Sequence, residues 1–274
     1  IGGLKVGWGR MKILFDAREL TLAQPPAGIG RYIQCLYSAI ADVEPSLELE
    51  AFCHQGQAPF HRYSSRIRAI NVGDKYFGRW SQTLWEALLW SGKIDSRGAD
   101  LFHSTAHLSP GRCKTPLVLT VHDLTNFLFP SWYKWTNQMN RSMNLRRGIR
   151  QSQKIIAVSQ STADDLIRLF PDTSSRTEVV LEGVESQFPP VESVDRAALG
   201  LGFSEPFILW VGTTSPRKNL MVLLQAFEKL PAQFEDVHLV LVGQRGWKDQ
   251  SIFEFIQRPG LGRRIHPLGY VPKE

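Results

Sequence analysis

The stretch Val211-Gly212-Thr213-Thr214-Ser215-Pro216-Arg217-Lys218-Asn219-Leu220 reads as the end of a strand, a polar turn and the start of a helix. Free backbone N–H groups and the positive end of a helix dipole then meet two cationic side chains at one point, the arrangement an anionic phosphate needs. Arg217 can grip two oxygens at once and Lys218 adds a compact point charge, so a diphosphate is the natural ligand. A capped helix with two solvated basic residues is the plainer reading of the same stretch, and the surrounding pattern must arbitrate.

Outward from that turn, strand and helix alternate. Strands are expected at 207–211, 237–242 and 264–268, with helices at 220–230 and 251–257. Upstream, short apolar runs stand at 11–16, 47–53, 67–70, 99–103, 117–121, 155–158 and 178–181, and a loop rich in Pro and Gly leads into a helix at 29–43. Phe77, Trp80, Leu84 and Leu88 recur at helical spacing, with Trp85, Leu89 and Trp90 widening the apolar face. The alternation predicts an α/β fold of parallel sheets with helices on both faces. The non-periodic, Pro-containing stretch 186–193 divides it into a Rossmann-like domain at 11–188 and a partial second one at 189–274. Residues 1–10, Gly-rich and preceding Met11, read as upstream or expression-derived sequence. Three strands and two helices cannot cover both faces of a doubly wound sheet, so the second domain reads as a fragment.

Composition agrees with a globular chain: of 274 residues, 43% are apolar and 21% charged, which excludes disorder and collagen. The net charge of +6 favours anionic partners without choosing among them. Cys35, Cys53 and Cys113 are odd in number and contain no C-x-x-C pair, so neither a disulfide framework nor a zinc site is suggested, and a reducing cytoplasm is the expected home. No apolar run has the length of a membrane span. The run Arg141, Arg146, Arg147, Arg150 and Lys154 has no acid between its members. With the aromatic stretch around Trp80–Trp90 it admits two readings: peripheral contact with a membrane surface, or core packing plus a solvated helix face.

Other chemistry-bearing residues sit at expected strand ends. Gly28 and Gly30 follow the first strand, where backbone without side chains can pass close to a phosphate or sugar, and Arg31 begins the next helix; a plain tight turn is the alternative. His122 follows an apolar strand at the carboxyl end of the sheet, where open α/β folds place ligands, and Asp123 either orients it or caps the next turn. His103 and Ser104 line an acceptor side or form a polar turn. His103, His107 and His122 lack a carboxylate cluster at ligand spacing, so no metal is expected.

The segments G-I-G-R-Y at 28–32, D-L-F-H-S-T at 100–105, T-V-H-D-L at 120–124, A-V-S-Q-S-T at 157–162, V-G-T-T-S-P-R-K-N-L at 211–220, L-V-G at 241–243 and L-G-Y-V at 268–271 occur in one order. In that order they resemble the retaining glycosyltransferases of family 4, which have the GT-B fold of two Rossmann-like domains, and within it the bacterial mannosyltransferase-like members of polysaccharide biosynthesis. The resemblance implies that Arg217 and Lys218 hold the diphosphate of a GDP- or UDP-sugar in the cleft between the domains. It implies donor-site contacts for Gly28, Gly30, Arg31 and Gly212, and places His122 facing the donor sugar. It also implies a glycan or lipid-linked acceptor, no cofactor or metal, no nucleic-acid partner, and a cytoplasmic enzyme or one at the inner face of the membrane.

Family members continue well beyond residue 274, through paired glutamates and a Gly-rich loop that bind ribose and donor sugar, so the chain is expected to be truncated at its C-terminus. Two alternatives accompany the transferase reading: a non-catalytic nucleotide-sugar-binding fragment, and a sugar-nucleotide epimerase on the same scaffold.

Overall fold

A computed structural model describes residues 11–20, 28–54, 65–72, 90–106, 109–133, 135–183 and 201–271. The chain divides into two compact units, Ile1–Val184 and Glu185–Glu274. Residues 1–10, Pro25, Pro26, the stretch from Phe77 to Leu89, His107 and the expected boundary at 186–193 lie outside the described residues.

In the first unit the elements are β1 (Lys12–Asp16), α1 (Gly28–Val43), β2 (Glu48–Cys53), β3 (Ile67–Asn71), α2 (Trp90–Asp95), β4 (Leu101–Ser104), β5 (Leu117–Val121), α3 (Thr125–Leu128), α4 (Trp135–Gln151), β6 (Lys154–Ala157), α5 (Gln160–Leu169) and β7 (Thr177–Val179). The strands form one sheet in the order β3-β2-β1-β4-β5-β6-β7, each neighbouring pair parallel. Successive side chains of a strand point to opposite faces, and β1 shows the consequence. Leu14 packs with Phe52, Phe102, Trp90 and Ile94, while Phe15 packs with Ala51, Ile33, Tyr37 and Ala41. Both faces of β1 are therefore covered, which is why its sequence is apolar without alternation.

α1 buries Gly30, Ile33, Tyr37 and Ala41, one stripe at three- and four-residue spacing. α5 opens on an N-cap, the Thr162 N–H donating to Ser159 Oγ at 3.1 Å, so the A-V-S-Q-S-T segment is a strand-to-helix junction; such a cap contributes about 1 kcal/mol. Glu50 of β2 breaks the apolar pattern with a fully buried carboxylate, tolerated because Lys12 and Arg97 close on it at 3.1 and 2.7 Å.

The second unit comprises β8 (Phe207–Val211), α6 (Leu220–Glu228), β9 (His238–Val242), α7 (Gln250–Ile256) and β10 (Ile265–Gly269), with a parallel sheet in the order β10-β9-β8. Leu220, Leu224 and Phe227 of α6 meet Ile252, Phe255 and Ile256 of α7 over Leu239, Leu241 and Ile265. Leu209 and Val211 of β8 stay outside that core, 55% and 66% exposed.

Candidate functional site

The order β3-β2-β1-β4 makes β1 the point where successive crossovers change direction, and open α/β sheets bind ligands beyond the carboxyl ends of the strands at such a point. Asp16 ends β1 and is buried. It accepts from Arg18 Nε at 2.9 Å and Nη2 at 2.8 Å, and the Arg18 guanidinium lies over the Trp90 ring at 3.3 Å. This bidentate pair fixes the chain leaving β1. Thr105, just past β4, donates its hydroxyl to the Asp16 carbonyl and is fully buried.

His122 stands one residue beyond β5 with its side chain only 12% exposed. Its Nε2 lies 2.9 Å from the Thr105 carbonyl oxygen. A carbonyl can only accept, so Nε2 carries the proton and Nδ1 is the other edge of the ring. Nδ1 lies 3.4 Å from Glu182 Oε1. Tyr32 meets the imidazole edge-on, ring centroids 4.8 Å apart, and Thr162 Oγ1 donates to the His122 carbonyl at 3.2 Å. Backbone and ring are both held.

Beneath this ring runs a buried polar chain. Tyr37 Oη lies 2.7 Å from His103 Nδ1, His103 Nε2 lies 2.8 Å from Thr120 Oγ1, and Thr120 Oγ1 lies 3.1 Å from Tyr32 Oη. Burial first, and the nearby His122 second, push His103 down to about 4, against the opposing pull of Asp16. Burial raises the Tyr32 hydroxyl; its bond to Thr120 opposes this and Glu182 adds to it.

These facts revise several expectations. Gly28 and Gly30 belong to the first turn of α1 and not to the loop before it, while Arg31 stands near the helix start as expected. A side-chain carbon built on Gly28 meets no atom within 4 Å among the described residues outside its own helix backbone, so packing against them does not demand glycine there. His103 and Ser104 line no surface; they are 5% and 0% exposed. Asp123 accepts from the Thr125 N–H and hydroxyl at 3.1 and 2.6 Å, pinning the start of α3.

In the second unit, Arg217 and Lys218 occupy a tight 3-10 turn, Pro216–Lys218, before α6. The N–H groups of Lys218 and Asn219 are not free, since they donate to the Ser215 and Pro216 carbonyls at 2.9 and 3.1 Å. The helix begins at Leu220 after a left-handed Asn219 (φ 49°), whose side chain makes no capping bond. Both cations are exposed, and among the described residues neither has a carboxylate partner. The Lys218 stem passes beside Gly212, where an added side-chain carbon would come within 3.7 Å of its Cε.

A second loop braces this turn from behind. Thr214 N–H donates to the Gln244 carbonyl at 3.1 Å, and Thr214 Oγ1 donates to Asp249 Oδ2 at 3.0 Å. Gly246 N–H reaches Thr214 Oγ1 and Asp249 Oδ2 at 3.0 and 3.2 Å. Gly243 and Gly246 permit the approach, for a side-chain carbon on either would fall about 2 Å from a backbone oxygen, Gly212 O and Thr214 O respectively. The Arg245 bond holds the Asp249 carboxyl below its ordinary value against the opposing effect of burial, with the Thr214 bond, the Arg245 charge and the Gly246 bond adding smaller pulls in the same direction.

Sequence reasoning brought out His122, Arg217 and Lys218 but missed Glu182, Tyr32, Thr105 and Asp249. Tyr32 and Thr105 close the segments G-I-G-R-Y and D-L-F-H-S-T with no role of their own read there; Glu182 carries no spacing signal, because its partner lies 60 residues earlier.

The chain matches the family described as Glycosyltransferase Family 4 over residues 26–188 and the family described as Glycosyl transferases group 1 over residues 192–274. It is 28% identical to the O-antigen chain mannosyltransferase B of Escherichia coli, over 96% of this chain and 72% of that protein. It is 25% identical to the serotype-specific mannosyltransferase WbdA of Escherichia coli, over 96% of this chain but 34% of that one. Among solved structures, Anabaena Alr3699/HepE in complex with UDP-glucose superposes with a TM-score of 0.66 at 20% identity, over 96% of this chain and 70% of that one.

Proposed function

The chain belongs to glycosyltransferase family 4 and has its two-unit GT-B fold, and from that membership we propose that it moves a hexose from a nucleotide-diphosphate sugar to a glycan or lipid-linked acceptor, with retention of configuration. GDP-mannose is the preferred donor, supported by the two mannosyltransferase relatives; UDP-sugars are the alternative, supported by the UDP-glucose complex of the structural neighbour. The observation that carries the reading is the exposed Arg217–Lys218 pair, free of carboxylate partners among the described residues, on a turn whose position is fixed by Thr214 and Asp249.

In the proposed reaction the bond between the anomeric carbon and the diphosphate oxygen breaks, and the acceptor hydroxyl bonds to the same face. The hydroxyl proton passes to the departing diphosphate. Negative charge grows on that diphosphate, so preorganised cations stabilise the transition state more than the ground state. Arg217 supplies two parallel N–H donors and Lys218 a point charge. Gly28 leaves α1's first turn open to the donor with the buried Gly30 behind it, Arg31 adds a cation there, and His122 takes the sugar. No metal or cofactor enters the scheme.

The partner surface proposed for a lipid-linked acceptor is the groove of Arg112, Met143, Arg146, Arg147, Arg150 and Gln151 beside α4, where an anionic headgroup region would meet guanidinium groups. Among the described residues, no helix is long and apolar enough to cross a membrane. The test of the central reading is transfer of radiolabelled mannose from GDP-mannose, and of glucose from UDP-glucose, to a lipid or glycan fraction. Turnover lost in Arg217→Ala/Lys218→Ala supports it; donor binding with no turnover in the unaltered protein favours a binding module instead, and release of an altered nucleotide sugar without acceptor favours an epimerase.

A further inference from the structure

Glu182 is a carboxylate whose position no motif explains. It follows β7 by three residues, its side chain is half exposed, and among the described residues no lysine or arginine pairs with it. What it does face is the Nδ1 edge of His122, at 3.4 Å, with Tyr32 packed against the same ring and close enough for the carboxylate charge to act on its hydroxyl. The other edge of His122 is committed to the Thr105 carbonyl. An imidazole held by the Thr105 carbonyl and the Tyr32 ring thus presents one nitrogen next to one carboxylate oxygen, at a spacing close to that of neighbouring hydroxyl oxygens on a pyranose ring. With the ring proton on Nε2, Nδ1 accepts as the carboxylate does, so each can take a hydrogen bond from one of two neighbouring hydroxyls.

We propose that Glu182 is a specificity-determining residue which, beside His122, accepts a hydrogen bond from one of two adjacent hydroxyls of the transferred hexose. The proposal rests on the glycosyltransferase reading above and deepens it by naming the sugar feature recognised. A site built to bond a hydroxyl rejects the analogue that lacks it, because the polar groups are then left without a partner. Selection would fall on two neighbouring ring positions, one read by Glu182 and the other by His122. A purely structural Glu182, holding the segment after β7 in place, would show no preference among positions.

The experiment is a kcat/KM cycle with a panel of monodeoxy donors that together remove every hydroxyl of the hexose, run on the unaltered chain, Glu182→Gln and Glu182→Ala. Expected for the unaltered chain is a loss of about 30-fold at two adjacent positions. Expected for Glu182→Ala is a similar loss with the complete donor and no additional loss when one of those two hydroxyls is missing, with a smaller loss for Glu182→Gln, which keeps an acceptor oxygen without the charge. Equal activity of both variants with all donors, or losses that add at every position, overturns the proposal. Thermal melting of both variants guards against misfolding; if either fails to fold, Glu182→Asp provides the same cycle. Where no donor is turned over but donors bind, the cycle is read on Kd by calorimetry. Absence of any donor binding by the unaltered chain defeats the glycosyltransferase reading and this one together, whereas normal binding with an indifferent Glu182 defeats this one alone.

Discussion

Tyr32 Oη lies 3.1 Å from Thr120 Oγ1, and that contact ties the first turn of α1, with Gly28, Gly30 and Arg31, to the strand that ends one residue before His122. The two halves of the candidate sugar site in the first unit are thereby positioned by one side-chain pair. Tyr32→Phe keeps the ring against His122 and removes only the hydroxyl. It should lower stability by about 1 kcal/mol in urea unfolding, with the His122 ring nitrogen signals unchanged in NMR. Tyr32→Ala should shift those signals as well.

Gly28 and Gly246 should respond in opposite ways to a methyl group. Gly28→Ala meets open space at the first residue of α1, so the melting temperature should hold or rise slightly while donor Kd weakens several-fold. Gly246→Ala puts its side-chain carbon 2.3 Å from the Thr214 carbonyl oxygen, and should destabilise the second unit by about 1–3 kcal/mol. A Gly28→Ala protein that binds donor normally would remove α1 from the donor site.

The brace behind Arg217 and Lys218 can be cut without touching either cation. Asp249→Ala leaves the Thr214 hydroxyl without its acceptor and takes one of two acceptors from the Gly246 N–H, at a cost of about 1–3 kcal/mol. Donor affinity should fall with it, by calorimetry, though less than in Arg217→Ala. Arg217→Lys should recover only part of the loss, since an ammonium cannot make two parallel bonds to a diphosphate.

Acid should weaken the first unit through His103. Its value in the fold is about 4, against about 6.5 in an unfolded chain. Between those limits the unfolded chain binds a proton that the folded one refuses. The contribution is therefore complete above about pH 6.5 and fades as pH falls toward 4, by up to about 3 kcal/mol. Urea unfolding between pH 7 and 4 should show this slope, and His103→Leu should flatten it while lowering stability at pH 7, because the Tyr37 and Thr120 hydroxyls lose their shared partner.

If the arginine groove beside α4 meets anionic lipid, Arg112→Gln/Arg150→Gln should weaken binding to phosphatidylglycerol vesicles about 30-fold at low salt. Both residues are exposed, so folding should be unaffected. Phosphatidylcholine vesicles should bind neither form. Equal binding of both forms to the anionic vesicles would rule the groove out.

The strands of both sheets could be read from residues such as Ile13-Leu14-Phe15 and Leu239-Val240-Leu241, because a strand covered on both faces must be apolar along its length. The starts of α1, α6 and α7 were legible to within a residue, but not the state of the groups at them. The apolar stripe of α1 pulls Gly28 and Gly30 into the helix, and the bonds of Lys218 and Asn219 to Ser215 and Pro216 tighten a turn expected to leave N–H groups free. At the site, Arg217 and Lys218 stood out as adjacent cations after a strand, and His122 as a polar residue ending an apolar run.

What sequence alone determined was the order of elements, the parallel sheets and the strand ends that carry chemistry, since these follow from local periodicity and turn chemistry. Tertiary structure alone decided which of those ends meet. It set Glu182 beside His122, joined Tyr32 to Thr120, and buried His103 where a surface role was open. Each of these pairings spans from 60 to 88 residues or depends on burial, and the stacking of parallel strands, not the residues flanking any one of them, brings such distant positions together.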